Sequence, residues 1–223
     1  KRATSIGSKN DWIYTPEHLL SACSGIGITD LLIEMIGGNE IPIMDGSAKS
    51  FTDAFLQVGL KELYSKHSVL TIKNPLTLSN GPAKIYCLPD ESCKFTYHLS
   101  YPDTFIQTQL KSFNLSNDSF IDEIAPARTY GFKQEIETLL ASKLAKGGTL
   151  DNAVVIGKND YMNDLRFKDE LVRHKILDMI GDFTLLGKPF LGHIIGIGSG
   201  HQLNTDMVKL ISQSFESVST VNN

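Results

Sequence analysis

The sequence predicts a layered α+β fold, and three observations predict it. Helical and strand-like stretches are mixed along the chain, the strand-like ones are broken by Pro, Gly, Asn and Asp turns at hairpin spacing, and few stretches have the crossover order of a doubly wound sheet. The chain has 223 residues, 41% of them hydrophobic and 21% charged, which is enough for a real core in one large or two small domains.

Glu17–Gly25 reads as a helix, with Thr15 suited to the N-cap and Pro16 to the first turn. Asp30–Ile36 reads as a strand, Pro42–Ser47 as a turn and Ala48–Val58 as a second helix. A boundary near Tyr64–His67 then divides residues 1–66 from residues 67–223. Beyond it come the strand-like stretches Ser68–Lys73, Ala83–Leu88, Lys94–Ser100 and Phe105–Phe113. Gln134–Ala145 has the pattern of an amphipathic helix stopped by Gly147-Gly148, and Asn152–Ile156 that of a strand. Leu165–Leu186 is a long helix ended by Gly187 and Pro189, Phe190–Gly198 an apolar strand and Asn204–Phe215 a last helix.

Net charge and cysteine usage narrow the function classes. A net charge of −4 argues against nucleic-acid binding as the main task. The three cysteines, Cys23, Cys87 and Cys93, have no zinc-ribbon spacing, and their odd count suits a reducing compartment. No secretory leader is recognisable and no apolar run is long enough to span a bilayer, so a cytoplasmic protein is expected.

The chemistry concentrates on the long helix. Leu171, Val172, Ile176, Leu177 and Ile180 give it an apolar face, and His174, Asp178 and Asp182, each four apart, share one stripe. An imidazole and a carboxylate one turn apart are able to grip a divalent metal, with the third group orienting a neighbour. The plainer alternative is a hydrogen-bonded pair on a solvated face. Upstream, Glu17-His18 at a helix start offers a second imidazole, which completes a two-His, one-Asp set. Glu17 stands beside that set without ligating it, where a general base belongs. The alternative for Glu17-His18 is an ordinary polar pair in a first turn. His201, just beyond an apolar strand, is placed either to serve a site or to lie in a surface loop. The run Ala127-Arg128-Thr129-Tyr130-Gly131-Phe132 either lines a pocket or forms a strand-to-helix turn around a buried aromatic.

Seven segments, in order and spread over nearly the whole chain, resemble the UDP-3-O-acyl-N-acetylglucosamine deacetylase family, zinc hydrolases of bacterial lipid A synthesis. They are Glu17–Ala22, Ile41–Ala48, Ala127–Phe132, Gly147–Ala153, Val172–Asp178, Ile180–Asp182 and Ser199–Asn204. The resemblance implies His18, His174 and Asp178 as zinc ligands, Glu17 as general base, His201 as general acid and Asp182 as its acidic support. It also implies Thr129 as the hydroxyl at the oxyanion, Lys175 toward phosphate or sugar, and Tyr130, where an aromatic (commonly Phe) stands, beside the sugar with Phe132. Ile156 and Met162, with Tyr161, match the insert that lines a passage for the acyl chain, or else are ordinary strand residues packed on the core. Of the basic residues Arg166, Lys168, Arg173 and Lys175, Lys175 is the best match to a diphosphate contact, and the others read as a solvated helix face. The implied architecture is two layered α/β sandwich domains with the active site between them. Residues 1–66 form the C-terminal part of domain one, lacking its N-terminal part, and residues 67–223 form domain two. The implied substrate is UDP-3-O-acyl-N-acetylglucosamine and the implied cofactor Zn2+, with Fe2+ acceptable to a two-His, one-Asp set. A monomer is expected.

Overall fold

The computed structural model describes residues 3–9, 11–64, 68–115, 119–136 and 149–219, with side chains to Phe215. Its fold is a mixed α+β arrangement of one larger sheet, two small ones and helices laid against them. The chain starts with an antiparallel hairpin, β1 (Ser5–Ser8) and β2 (Asp11–Tyr14), which runs directly into α1 (Glu17–Gly25). A long irregular segment leads to α2 (Lys49–Val58).

The larger sheet is built from β3 (Leu70–Thr71), β4 (Leu76–Asn80), β5 (Ala83–Leu88), β6 (Cys93–Leu99), β7 (Gln109–Asn114) and β10 (Phe190–Ile197). Its order is β4-β5-β10-β6-β7, with β10 antiparallel to β5 and parallel to β6, and with β3 pairing in parallel at the start of β10. Between β7 and β10 the chain forms a π-helical turn (Phe120–Ile124), the parallel pair β8 (Tyr130–Phe132) and β9 (Val154–Ile156), and the long helix α3 (Glu170–Thr184). Helix α4 (His201–Ser219) closes the chain.

Helix α3 is central because it is buried on nearly every side, its apolar residues in the core and its polar stripe of His174, Asp178 and Asp182 buried as well. Leu171, Val172, Ile176, Leu177, Met179, Ile180 and Phe183 are all buried, against α1, the sheet and α4. Strand β10 alternates strictly between a buried and a half-buried face, as a strand covered by a helix layer must. Two glycines fix how closely these layers meet. A Cβ on Gly181 of α3 would lie 2.1 Å from the carbonyl oxygen of Glu17, so α1 lies backbone to backbone on α3. A Cβ on Gly196 would lie 2.6 Å from Ser199 Oγ and 2.9 Å from the Tyr97 ring, which folds the turn after β10 back onto the sheet. The Tyr97 hydroxyl then donates to the Ser199 carbonyl, just ahead of α4.

Several elements depart from expectation. Asp30–Ile36 is irregular rather than a strand, and Leu32 and Ile36 are 85% and 93% exposed. A strand needs a neighbour for its ladder, and none of the described segments pairs with this one; the isolated Tyr14–Glu40 bridge lies beyond its end. Thr15 does not cap α1. It takes φ +59° and turns its hydroxyl to Glu40, leaving Pro16 at the cap position with no side-chain cap. The long helix starts at Glu170, five residues later than its pattern suggests, because Arg166 N–H is bound by the Glu170 carboxylate instead of entering a helical turn. The last helix starts earlier, at His201. The β1–β2 hairpin and β4 have no counterpart in the sequence reading, being short and mostly exposed. The expected helix Gln134–Ala145 and its stop at Gly147-Gly148 lie, beyond residue 136, outside the described residues.

Candidate metal centre

Helix α3 carries His174, Asp178 and Asp182 at successive turns on its side facing α1, and the first turn of α1 delivers Glu17 and His18 to the same place. All five side chains are buried. Asp178 Oδ1 lies 3.3 Å from His174 Nε2 and 3.7 Å from His18 Nε2, and the two imidazoles stand edge to face with centroids 5.1 Å apart. One ligand atom from each of His18, His174 and Asp178 falls within 4.8 Å of the others. His174 Nδ1 is paired with the Ala127 carbonyl at 3.1 Å, so Nδ1 carries the proton and Nε2 presents its lone pair to Asp178.

These residues fit a divalent metal by a test internal to the structure. Buried polar atoms are almost always hydrogen-bonded, yet Asp178 Oδ1 has no hydrogen-bond partner among the described residues. A carboxylate oxygen and two imidazole nitrogens facing one another without a shared proton make a donor set that a cation satisfies. Burial holds both imidazoles in the neutral, ligating form: it pushes His174 down to about 3 and His18 below the usual histidine range. Burial works against the Asp178 carboxylate, but His174 and Lys175 beside it keep it well below the usual range.

Glu17 and His201 flank this set. Burial pushes Glu17 up to about 7, despite the opposing charge of His201. His201 is half-buried, and its desolvation is outweighed by the charge of Asp178 and the hydrogen bond to Asp182, which raise it to about 9. His201 Nδ1 donates to Asp182 Oδ2 at 3.0 Å, which turns Nε2 inward, 3.8 Å from Glu17 Oε1 and 3.9 Å from Asp178 Oδ2. The sequence left open a surface loop at His201, whereas the structure makes it the first residue of α4.

The other residues singled out in the sequence fall at varying distances from the centre. Lys175 sits over the Tyr130 ring, 5.4 Å from its centroid, with its ammonium 2.7 Å from Asp178 Oδ2. Tyr130 meets the edge of His174 at 6.1 Å, shares a 2.9 Å hydrogen bond with Tyr101, and neighbours Phe132 through that same tyrosine. Thr129 is half-buried between Gly46, whose carbonyl takes its N–H, and Val154, whose N–H it accepts. Ile156 is buried in β9, whereas Met162 is 45% exposed. Arg166 and Arg173 are tied into the fold, the first by Asp45 and the Pro126 carbonyl, the second by Asp169 and Glu123. Sequence reasoning missed Thr4 and Asn204, which hold the polar network from outside: both donate to Asp182.

The family model for UDP-3-O-acyl N-acetylglycosamine deacetylase matches residues 1–213. The chain belongs to this family. It is 42% identical over 211 residues to the UDP-3-O-acyl-N-acetylglucosamine deacetylase of Syntrophotalea carbinolica, a match covering 94% of this chain and 68% of that protein. It is 40% identical over 222 residues to the enzyme of the same name from Campylobacter hominis, covering 97% and 75%. It is likewise 40% identical over 211 residues to that of Leptospira biflexa, covering 94% and 70%. Among the described residues no helix is long and apolar enough to cross a membrane.

Proposed function

We propose that this member of the deacetylase family removes the N-acetyl group of UDP-3-O-acyl-N-acetylglucosamine, releasing acetate and the free amine, the committed step of lipid A synthesis. The observation that carries the reading is the orphaned Asp178 Oδ1, facing two neutral imidazoles, with a carboxylate and a third, charged imidazole on its flank. His18, His174 and Asp178 would hold the metal, Zn2+ foremost, with Fe2+ suited to the same donors. When bound, such an ion makes water acidic enough to attack near neutral pH and polarises the amide carbonyl.

Glu17 is the general base. With its affinity for protons raised to about 7 by burial, it takes a proton from the attacking water at a carboxylate oxygen near neutral pH. His201 is the general acid. Asp182 occupies Nδ1, so the proton to be delivered to the departing amine sits on Nε2, the nitrogen facing the centre. Thr129 is assigned to the developing oxyanion, where a hydroxyl donor lowers the barrier. Lys175, Tyr130 and Phe132 are assigned to the nucleotide sugar, and Ile156 and Met162 to the acyl chain. In this reading residues 1–66 and 67–223 are two layered units meeting at α1 and α3, and the chain works as a cytoplasmic monomer.

The test is acetate release from UDP-3-O-acyl-N-acetylglucosamine by protein stripped of metal and then given zinc. Release that requires zinc is the expected result. A folded, zinc-loaded protein that releases no acetate would refute the assignment.

A further inference from the structure

Thr4 is buried, 3% exposed, and makes two contacts that no local pattern predicts. Its main-chain N–H donates to Glu17 Oε2 at 3.3 Å, and its hydroxyl donates to Asp182 Oδ1. Its own carbonyl accepts from Thr15 N–H at 3.0 Å, so the β1–β2 hairpin clamps it beside the start of α1. Glu17 Oε1 is left toward His201 Nε2, at 3.8 Å, while His201 Nδ1 lies against both Asp182 oxygens, 3.2 Å from the Oδ1 that Thr4 holds and 3.0 Å from Oδ2.

We propose that Thr4 is a positioning residue that fixes Glu17 and Asp182, and through Asp182 the His201 ring, in a single frame. Asp182 is the last link before the imidazole. Its carboxylate is set by Thr4 from the hairpin and by Asn204 Nδ2, at 2.9 Å, from α4. The hydroxyl is the part of Thr4 that a substitution can remove while its shape and its N–H remain. The catalytic consequence rests on the deacetylase reading, whereas the effect on the His201 ring does not.

The test compares Thr4→Val, which keeps the shape and loses the hydroxyl, with Thr4→Ser, which keeps the hydroxyl. Turnover and the proton resonance of the His201 ring N–H facing Asp182 are both read in 15N-histidine-labelled protein. In Thr4→Val, kcat is expected to fall about tenfold or more, as for other residues that orient an acid–base or ligand group. KM and zinc content are expected to hold, and the His201 resonance to move. Thr4→Ser is expected to restore both kcat and the resonance. An unchanged resonance in Thr4→Val overturns the proposal whatever turnover does, and so does a Thr4→Ser variant as impaired as Thr4→Val. Should Thr4→Val not fold, Thr4→Ala carries the same two readouts. If the wild-type protein releases no acetate, the deacetylase reading falls, while the resonance still decides the role of Thr4.

Discussion

His174 Nε2 and Asp178 Oδ1 lie 3.3 Å apart in the protein interior, one helical turn from each other, without a hydrogen bond between them. His174 spends its ring proton on the Ala127 carbonyl, so two electron-rich atoms face each other across a gap that needs a cation. His174→Ala is therefore expected to lose zinc affinity together with turnover. Equilibrium dialysis against zinc, followed by metal analysis, checks this. Zinc retained at the wild-type level would place the ion elsewhere.

Glu17 adjoins the ligand set but need not bind the ion. Glu17→Gln keeps the size of the side chain and removes its basicity. It is expected to keep zinc and to lower kcat by about 10²- to 10⁴-fold. Steady-state acetate release alongside metal analysis separates the two effects, and undiminished turnover would remove Glu17 from the role of base.

Gly181 sets the distance between α1 and α3. An added methyl group would lie 2.1 Å from the Glu17 carbonyl oxygen, which is main chain and unable to rotate away. Gly181→Ala is expected to cost about 1–3 kcal/mol of stability, the usual penalty of overpacking. Because the displaced helix carries Glu17 and His18, turnover is expected to fall as well. Chemical denaturation and acetate release measure the two, and a variant normal in both would mean that the helices have slack.

Asp45 and Arg166 offer a pH dependence outside the ligand set. Burial works against the Asp45 carboxylate, but the hydrogen bonds from Arg166 and Ser47 outweigh it and keep the group below the usual aspartate range. A group depressed in this way stabilises the fold above the unfolded-state value and ceases to do so as pH falls through the folded-state value. Asp45→Asn is expected to be less stable than wild type at pH 7, by about 1 kcal/mol or less, since the pair is partly exposed to solvent. That difference should close below about pH 4, where an unperturbed aspartate takes up its proton. Urea unfolding of both proteins across this range tests it, and a difference independent of pH would assign the effect to packing.

What the sequence determined by itself was whatever repeats at short range. The four-residue spacing of His174, Asp178 and Asp182 places them on one stripe of any helix, and the apolar pattern of α3 predicts its burial. The adjacency of Glu17 and His18 ties base and ligand to one helical turn. These local facts, with the ordered family segments, made the mixed α+β class legible as well. Tertiary structure decided everything that depends on a partner distant in sequence. Asp30–Ile36 has the residues of a strand but no neighbour among the described segments to pair with. His201 acquires its inward-facing nitrogen only because Asp182, on another helix, takes the other one. Thr4 and Asp182, 178 residues apart, are joined only because a hairpin returns the chain to the start of α1 and a glycine lets α1 lie on α3. Such a contact leaves no periodicity in the sequence, since hydrogen bonding depends on distance in space, whereas periodicity records distance along the chain.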